Sequence, residues 1–255
     1  KCVAANNFRN LRNCTPAPAT QRRLEHSWSI RRISSVNASG PLYCGRMRVL
    51  LVTLSVVFLL TFLAAPTMGA GWFWDIGNGI GFAAFAGLLY LSVTSPRRTD
   101  VRAHQVFGDG VLFIAMAHAY WFMLGDGAVV EFMKFRAPDY MWHGIVSIIL
   151  LGILITVALV PDRFRVHKDY PAFRYWHRVV AVATIMTATY HIVVSNFYLG
   201  TWYQALLFVL LAVAVTFGRN YRIRLGQIPV VGVRVFIVVS VVFVAAFASI
   251  RNLPA

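Results

Sequence analysis

The stretch 104–118, HQVFGDGVLFIAMAH, sets His104 and His118 fourteen residues apart inside an otherwise apolar run. At 3.6 residues per turn that spacing is close to four whole turns. Both imidazoles therefore share one helix face, roughly 21 Å apart along the axis. A second stretch, 177–191, HRVVAVATIMTATYH, repeats the spacing with His177 and His191. Two helices that each carry two histidines at one common spacing can clamp two flat ligands between them, one above the other. Haem is the natural ligand, because its iron accepts an axial imidazole from each side.

The composition supplies a membrane setting for that helix pair. Of 255 residues, 58% are apolar and only nine are acidic, and several apolar runs approach the roughly 20 residues needed to cross a bilayer. A soluble core of this size would be interrupted by far more polar surface. The expected fold is an all-α, multi-pass transmembrane helical bundle of six to seven spans that binds haem, with the lipid bilayer as its first partner. The net charge of +15 would suggest nucleic acid only if its placement were ignored. Eight of the 24 basic residues precede position 47. Most others fall in short links between apolar runs, as on the cytoplasmic side of integral membrane proteins. That is not a basic groove, which argues against nucleic acid. Cys2, Cys14 and Cys44 all precede the first apolar run at spacings that fit no zinc or iron–sulfur pattern. Thiolates therefore have no part in the membrane chemistry.

Residues 1–46 are rich in Arg, Ser and Asn, with Glu25 the sole acid. They read as a disordered basic tail or as sequence upstream of a start at Met47; an organelle-targeting peptide shares the same composition. The transmembrane haem-binding region is expected over 47–250, with 251–255 as a short end. From Met47, MRVLLVTLSVVFLLTFLAAPTMGA reads as a retained first span, since Met68-Gly69-Ala70 is a poor signal-cleavage site. Six more spans are predicted at about 75–94, 104–124, 141–160, 177–197, 202–218 and 229–250. Arg97, Arg98 and Arg102 fall between spans two and three. Arg163, Arg165, Lys168, Arg174 and Arg178 cluster around the link from four to five, and Arg219, Arg222 and Arg224 lie between six and seven. The link SNFYLGTWY between five and six is uncharged. All three basic links fall on one side, so the positive-inside rule places the N-terminus in the cytoplasm, the C-terminus outside, and the chain in the cell membrane.

That topology gives each histidine a depth. His104 and His177 open spans three and five near the cytoplasmic face; His118 and His191 lie roughly 21 Å outward. The expected pairs are His104 with His177 and His118 with His191, giving two b-type haems stacked across the membrane. A single intramembrane histidine can do no more than hydrogen-bond a neighbour, but four at matched spacing and depth are hard to explain as packing. Arg97, Arg98, Arg102, Arg174 and Arg178 lie beside the inner pair, where guanidinium groups would anchor haem propionates as well as set topology. Gly108 and Gly110, flanking Asp109, either admit a porphyrin close to the backbone or let helices pack closely. His143 at the start of span four reads as an interfacial polar residue. Trp72, Trp74, Trp142, Trp176 and Trp202 fall near span ends, as an aromatic belt would.

At this point the sequence resembles the ferric reductase-like transmembrane domain family, which includes the membrane domain of NADPH oxidases and a bacterial haem subunit of methionine sulfoxide reductase. The resemblance covers roughly 75–218. It rests on the GIGFAAFAGLLYLS run of span two, the R-x-H-x-x-x-G…H pattern of span three (Arg102, His104, Gly108, His118), and Y-W-H-R…Y-H in span five (Tyr175–Arg178, Tyr190–His191). It implies His104 and His177 as inner ligands and His118 and His191 as outer ones. It also implies electron transfer from a cytoplasmic donor through the haems to an acceptor outside. Longer family members continue into a flavin- and nicotinamide-binding domain. Here no glycine-rich dinucleotide motif follows a predicted strand, so neither FAD nor NAD(P) is expected on this chain. The donor would be a separate flavoprotein reductase, docked on the basic inner links, or a membrane quinol.

Two other readings stand beside this one. A quinol-linked di-haem cytochrome b would use the same ligands with a lipid-borne donor. A non-redox transporter or channel would line a proton path with the histidines, would bind no haem, and would favour broken helices at mid-membrane. No outer link carries a recognisable binding motif, so ferric iron, oxygen, a quinone and an outside protein are all open as acceptors.

Overall fold

In lipid every backbone N–H and C=O must find its partner within the segment, so long apolar runs fold as helices. The computed structural model describes residues 40–63, 71–94, 101–125, 134, 136–160, 170–218 and 230–252. Among the described residues every regular element is a helix: α1 (Gly40–Leu60), α2 (Trp72–Val93), α3 (Val101–Gly125), α4 (Asp139–Leu159), α5 (Tyr170–Ser195), α6 (Trp202–Phe217) and α7 (Val233–Asn252). Each predicted span has its helix, in order. Five of them, α2, α3, α4, α5 and α7, are long and apolar enough to cross a membrane, and α6 is a shorter apolar helix. The chain is an integral, multi-pass helical membrane protein.

Helix ends extend past the predicted spans. α1 begins at Gly40 rather than Met47, and α5 at Tyr170 rather than 177. Hydropathy halts a span at its first charge, whereas the backbone ladder continues wherever its bonds are met. The 26 residues of α5 extend roughly 39 Å, beyond a hydrocarbon core of about 30 Å. Its first turns expose Tyr170, Tyr175 and Trp176 together with Arg174 and Arg178, groups suited to the headgroup layer. Arg102 is likewise exposed at the start of α3. Residues 1–39, Arg97, Arg98, His167 and the links carrying Arg163, Arg165, Lys168, Arg219, Arg222 and Arg224 lie outside the described residues. Of the belt tryptophans, Trp72, Trp176 and Trp202 are exposed and Trp142 is half-buried. Trp74 departs from the expectation: it packs among Phe73, Phe122 and Phe197.

The central helix is α2. It touches α1, α3, α5, α6 and α7, and 56% of its most apolar window is buried, against 11% for α4. Its small residues allow this. A Cβ at Gly87 would lie 2.7 Å from Phe236 and 2.8 Å from Val111, so α7 and α3 can approach only because none is there. Gly110 of α3 is seated against Val233 in the same way, whereas Gly108 has nothing nearer than Ile155 at 4.0 Å. Of the two glycines flanking Asp109, Gly110 serves helix packing. Aromatic contacts fill the remaining space, with Phe247 of α7 meeting Phe58, Phe62, Phe82 and Tyr198 at 5.4–5.8 Å.

A polar cluster ties the beginning of α2 to its neighbours. Asp75 accepts from the Tyr198 hydroxyl at 2.8 Å on one oxygen and from Asn252 Nδ2 at 2.8 Å on the other. Arg251 donates to Thr61 O at 2.8 Å and lies 4.4–4.7 Å from the Phe62, Tyr198 and Phe247 rings, where cation–π attraction favours it.

Candidate cofactor site

The same end of α2 positions one of the histidines. The ring of His118, from α3, sits over α2, where its Nδ1 lies 2.8 Å from the carbonyl oxygen of Gly77. A Cβ at Gly81 would stand 2.8 Å from the ring, so the imidazole occupies the space this glycine leaves. His191, from α5, repeats the arrangement on α4. Its Nδ1 lies 2.8 Å from the carbonyl oxygen of Tyr140, and a Cβ at Gly144 would stand 2.9 Å from that nitrogen. In both cases the carbonyl precedes the glycine by four residues, so acceptor and gap lie one above the other on one helix face.

A carbonyl can only accept, so each Nδ1 carries the proton and donates it. Each Nε2 is then left as the lone-pair nitrogen. This is the second-shell bond by which metal-binding histidines are oriented. The two rings are 6.4 Å apart between centres, with planes crossing at 77°. Metal–imidazole bonds of about 2.0–2.1 Å to one shared ion would set the ring centres roughly 6 Å apart. Phe122 meets His118 edge-on at 5.3 Å, and the Tyr140 ring lies 6.1 Å from His191.

Both histidines line one cavity of about 210 Å³ between α2, α3, α4 and α5. Small residues (Gly81, Ala84, Ala115, Ala119, Gly144, Ala188) leave it broad, and Phe82, Phe85, Ile145, Ile148 and Leu151 make its walls apolar. Polar groups enter from Asn78, Ser147, Ser195 and Tyr198. Among the described residues no three His, Cys, Asp or Glu side chains converge as a metal-binding group. Two imidazoles alone cannot complete a tetrahedral zinc shell; they suit a metal that brings four in-plane ligands of its own, as haem iron does. The donor set and the two glycine gaps fit that group.

The lining of this cavity includes neither His104 nor His177. Both are half-buried, and the His177 ring packs against Phe173 at 5.6 Å. Arg102, Arg174 and Arg178 share the exposed beginnings of α3 and α5 with them, and Arg174 lies over the Tyr170 ring at 5.6 Å. His143 turns away to other partners, with Nδ1 2.8 Å from the Asp139 carbonyl oxygen and its ring 4.2 Å from Tyr190. Spacing alone missed Gly77, Gly81, Tyr140 and Gly144. Their signal was present as small-residue spacing in α2 and as a glycine four residues after Tyr140 in α4.

Residues 96–188 match the model of the family described as ferric reductase like transmembrane component, so this segment of the chain is similar to that family. The match supports a membrane redox module. The matched segment contains His104, His118 and His177, and His191 lies just past it. No curated protein and no solved structure matches the chain.

Proposed function

We propose that this protein carries electrons across the membrane through two bis-histidine b-type haems, from a cytoplasmic-side donor to an acceptor on the outer side. The observation that carries the reading is the matched seating of His118 and His191: two Nδ1–H groups held by carbonyls, two lone-pair nitrogens left, ring centres 6.4 Å apart. Haem, when bound, supplies reversible one-electron chemistry at iron. The protein holds and orients it with the imidazoles, makes room with Gly81 and Gly144, and keeps water out with Phe82, Phe85 and Leu151.

His104 and His177 are the proposed ligands of a second haem, at the end where α3 and α5 begin. Arg102, Arg174 and Arg178, with Arg97 and Arg98 of the preceding link, would pair with its propionates. The family's transmembrane domains generally bind haem, which supports this assignment. By the charge asymmetry of the links this end faces the cytoplasm of the cell membrane. An acidic flavoprotein reductase is the proposed donor and a quinol the alternative. The basic surface favours the former, because opposite charge speeds docking.

The test uses lipid vesicles containing the haem-loaded protein, an impermeant reductant outside and an impermeant one-electron acceptor trapped inside. Reduction of the trapped acceptor in vesicles with wild-type protein, and none with His118→Leu, is expected. Equal rates in both would overturn the proposal.

A further inference from the structure

Asp75 lies in the first turn of α2 and is fully buried. A carboxylate in a membrane bundle is costly and marks function by default. Its two oxygens accept from the Tyr198 hydroxyl and from Asn252 Nδ2, and it interacts electrostatically with Arg251. The acid is also connected to the cofactor cavity. Tyr198, whose hydroxyl donates to Asp75 at 2.8 Å, lines that cavity with His118 and His191. So does Asn78, whose Nδ2 reaches the Tyr198 hydroxyl at 3.5 Å. Gly77, two residues along the same helix turn, provides the carbonyl that seats His118.

We infer that Asp75 is a proton-loading site for the His118–His191 cavity. One electron arriving in the cavity from the donor draws one proton from the adjoining aqueous phase onto the Asp75 carboxylate. When the electron passes to the acceptor, that proton is released. The inference rests on the bis-imidazole reading of the cavity. The driving force is Coulombic, since added negative charge in a region of low dielectric raises the affinity of a nearby acid for a proton. Once protonated, Asp75 donates to the Tyr198 oxygen, which also accepts from Asn78 Nδ2.

The groups facing Asp75 from the elements packed on it leave the acid as the one free to change charge. α7 contributes Arg251, always a cation, and the neutral Asn252; the turn after α1 contributes the Thr61 hydroxyl that Arg251 holds. The α5–α6 link contributes Tyr198. Burial, with the Asp75 bond and charge adding to it, pushes this phenol far above its ordinary range, so it stays protonated and remains a donor. From α3 comes His118, whose Nδ1–H is committed to Gly77 and whose Nε2 is the proposed iron ligand.

The test is a spectroelectrochemical titration of the haem-loaded protein in lipid nanodiscs, across the pH range in which carboxylates and imidazoles titrate. The haem followed is the one that His118→Leu removes. Its midpoint potential is expected to fall as pH rises in the wild type, because reduction binds a proton. In Asp75→Asn it is expected to be independent of pH, and in Tyr198→Phe the fall is expected to move along the pH axis. A flat wild-type profile, or an undiminished slope in Asp75→Asn, would overturn the inference. Should Asp75→Asn fail to assemble, an unmoved profile in Tyr198→Phe would overturn it too. A wild type with no haem would overturn the bis-imidazole reading instead, so the two failures are separable.

Discussion

Replacing His118 by leucine is expected to empty the His118–His191 cavity of its cofactor and lower haem per chain by about half, since it removes one of the two imidazoles proposed to hold that iron. Leucine is the informative replacement because it keeps the helix and the apolar contact while removing both nitrogens. It also leaves the Gly77 carbonyl with its own helical bond, so no buried acceptor is stranded. His191→Leu should give the same loss, and the double variant no further loss, because both ligands serve one site. His143→Leu should leave haem content unchanged, since its Nδ1 faces the Asp139 carbonyl and its ring packs tilted against Tyr190. The check is pyridine-haemochrome quantification of the purified variants. Equal haem in wild type and His118→Leu would place the ligands elsewhere.

The second large effect is expected from a residue that never touches the metal. Gly144→Val puts a branched side chain where even a Cβ would stand 2.9 Å from His191 Nδ1. The ring cannot yield along α4 without leaving the Tyr140 carbonyl, so both orientation and tautomer are lost. Loss of an orienting partner of this kind weakens metal binding by about 10–100-fold. Gly152→Ala, on the same helix with open space at its Cβ position, is the control. It should keep wild-type haem and gain helix propensity, worth about 1 kcal/mol. Haem titration into the apo-protein, followed by absorption, separates the two. Wild-type affinity in Gly144→Val would show that the glycine gap is incidental.

How much of this was legible in the sequence depends on which physical term is asked. The number and order of helices follow from apolar run length, because lipid leaves the backbone no other way to satisfy its polar groups. His118 and His191 are paired in sequence by their spacing and by the direction of their spans, and their ring centres stand 6.4 Å apart. What surrounds them was not legible, because it depends on which helix lies beside which. Gly77 and Gly81 read as ordinary small residues until α3 is laid on α2, and Tyr140 and Gly144 until α5 is laid on α4. Asp75 had no signal either: an acid near a predicted span end reads as interfacial, and only Tyr198 and Asn252, more than a hundred residues away, bury it. The helix starts at Gly40 and Tyr170 escaped hydropathy for a local reason, since Arg46, Arg48, Arg174 and Arg178 interrupt the apolar count but not the helix.

The central claim is that two histidine pairs each hold a haem, and the most direct measurement is haem per chain together with the oxidised and dithionite-reduced absorption spectra of the purified protein. Two b-type haems per chain are expected, falling to one in His118→Leu. A wild-type protein without haem after expression with ample supply would contradict that claim, and would return the four histidines to a proton path.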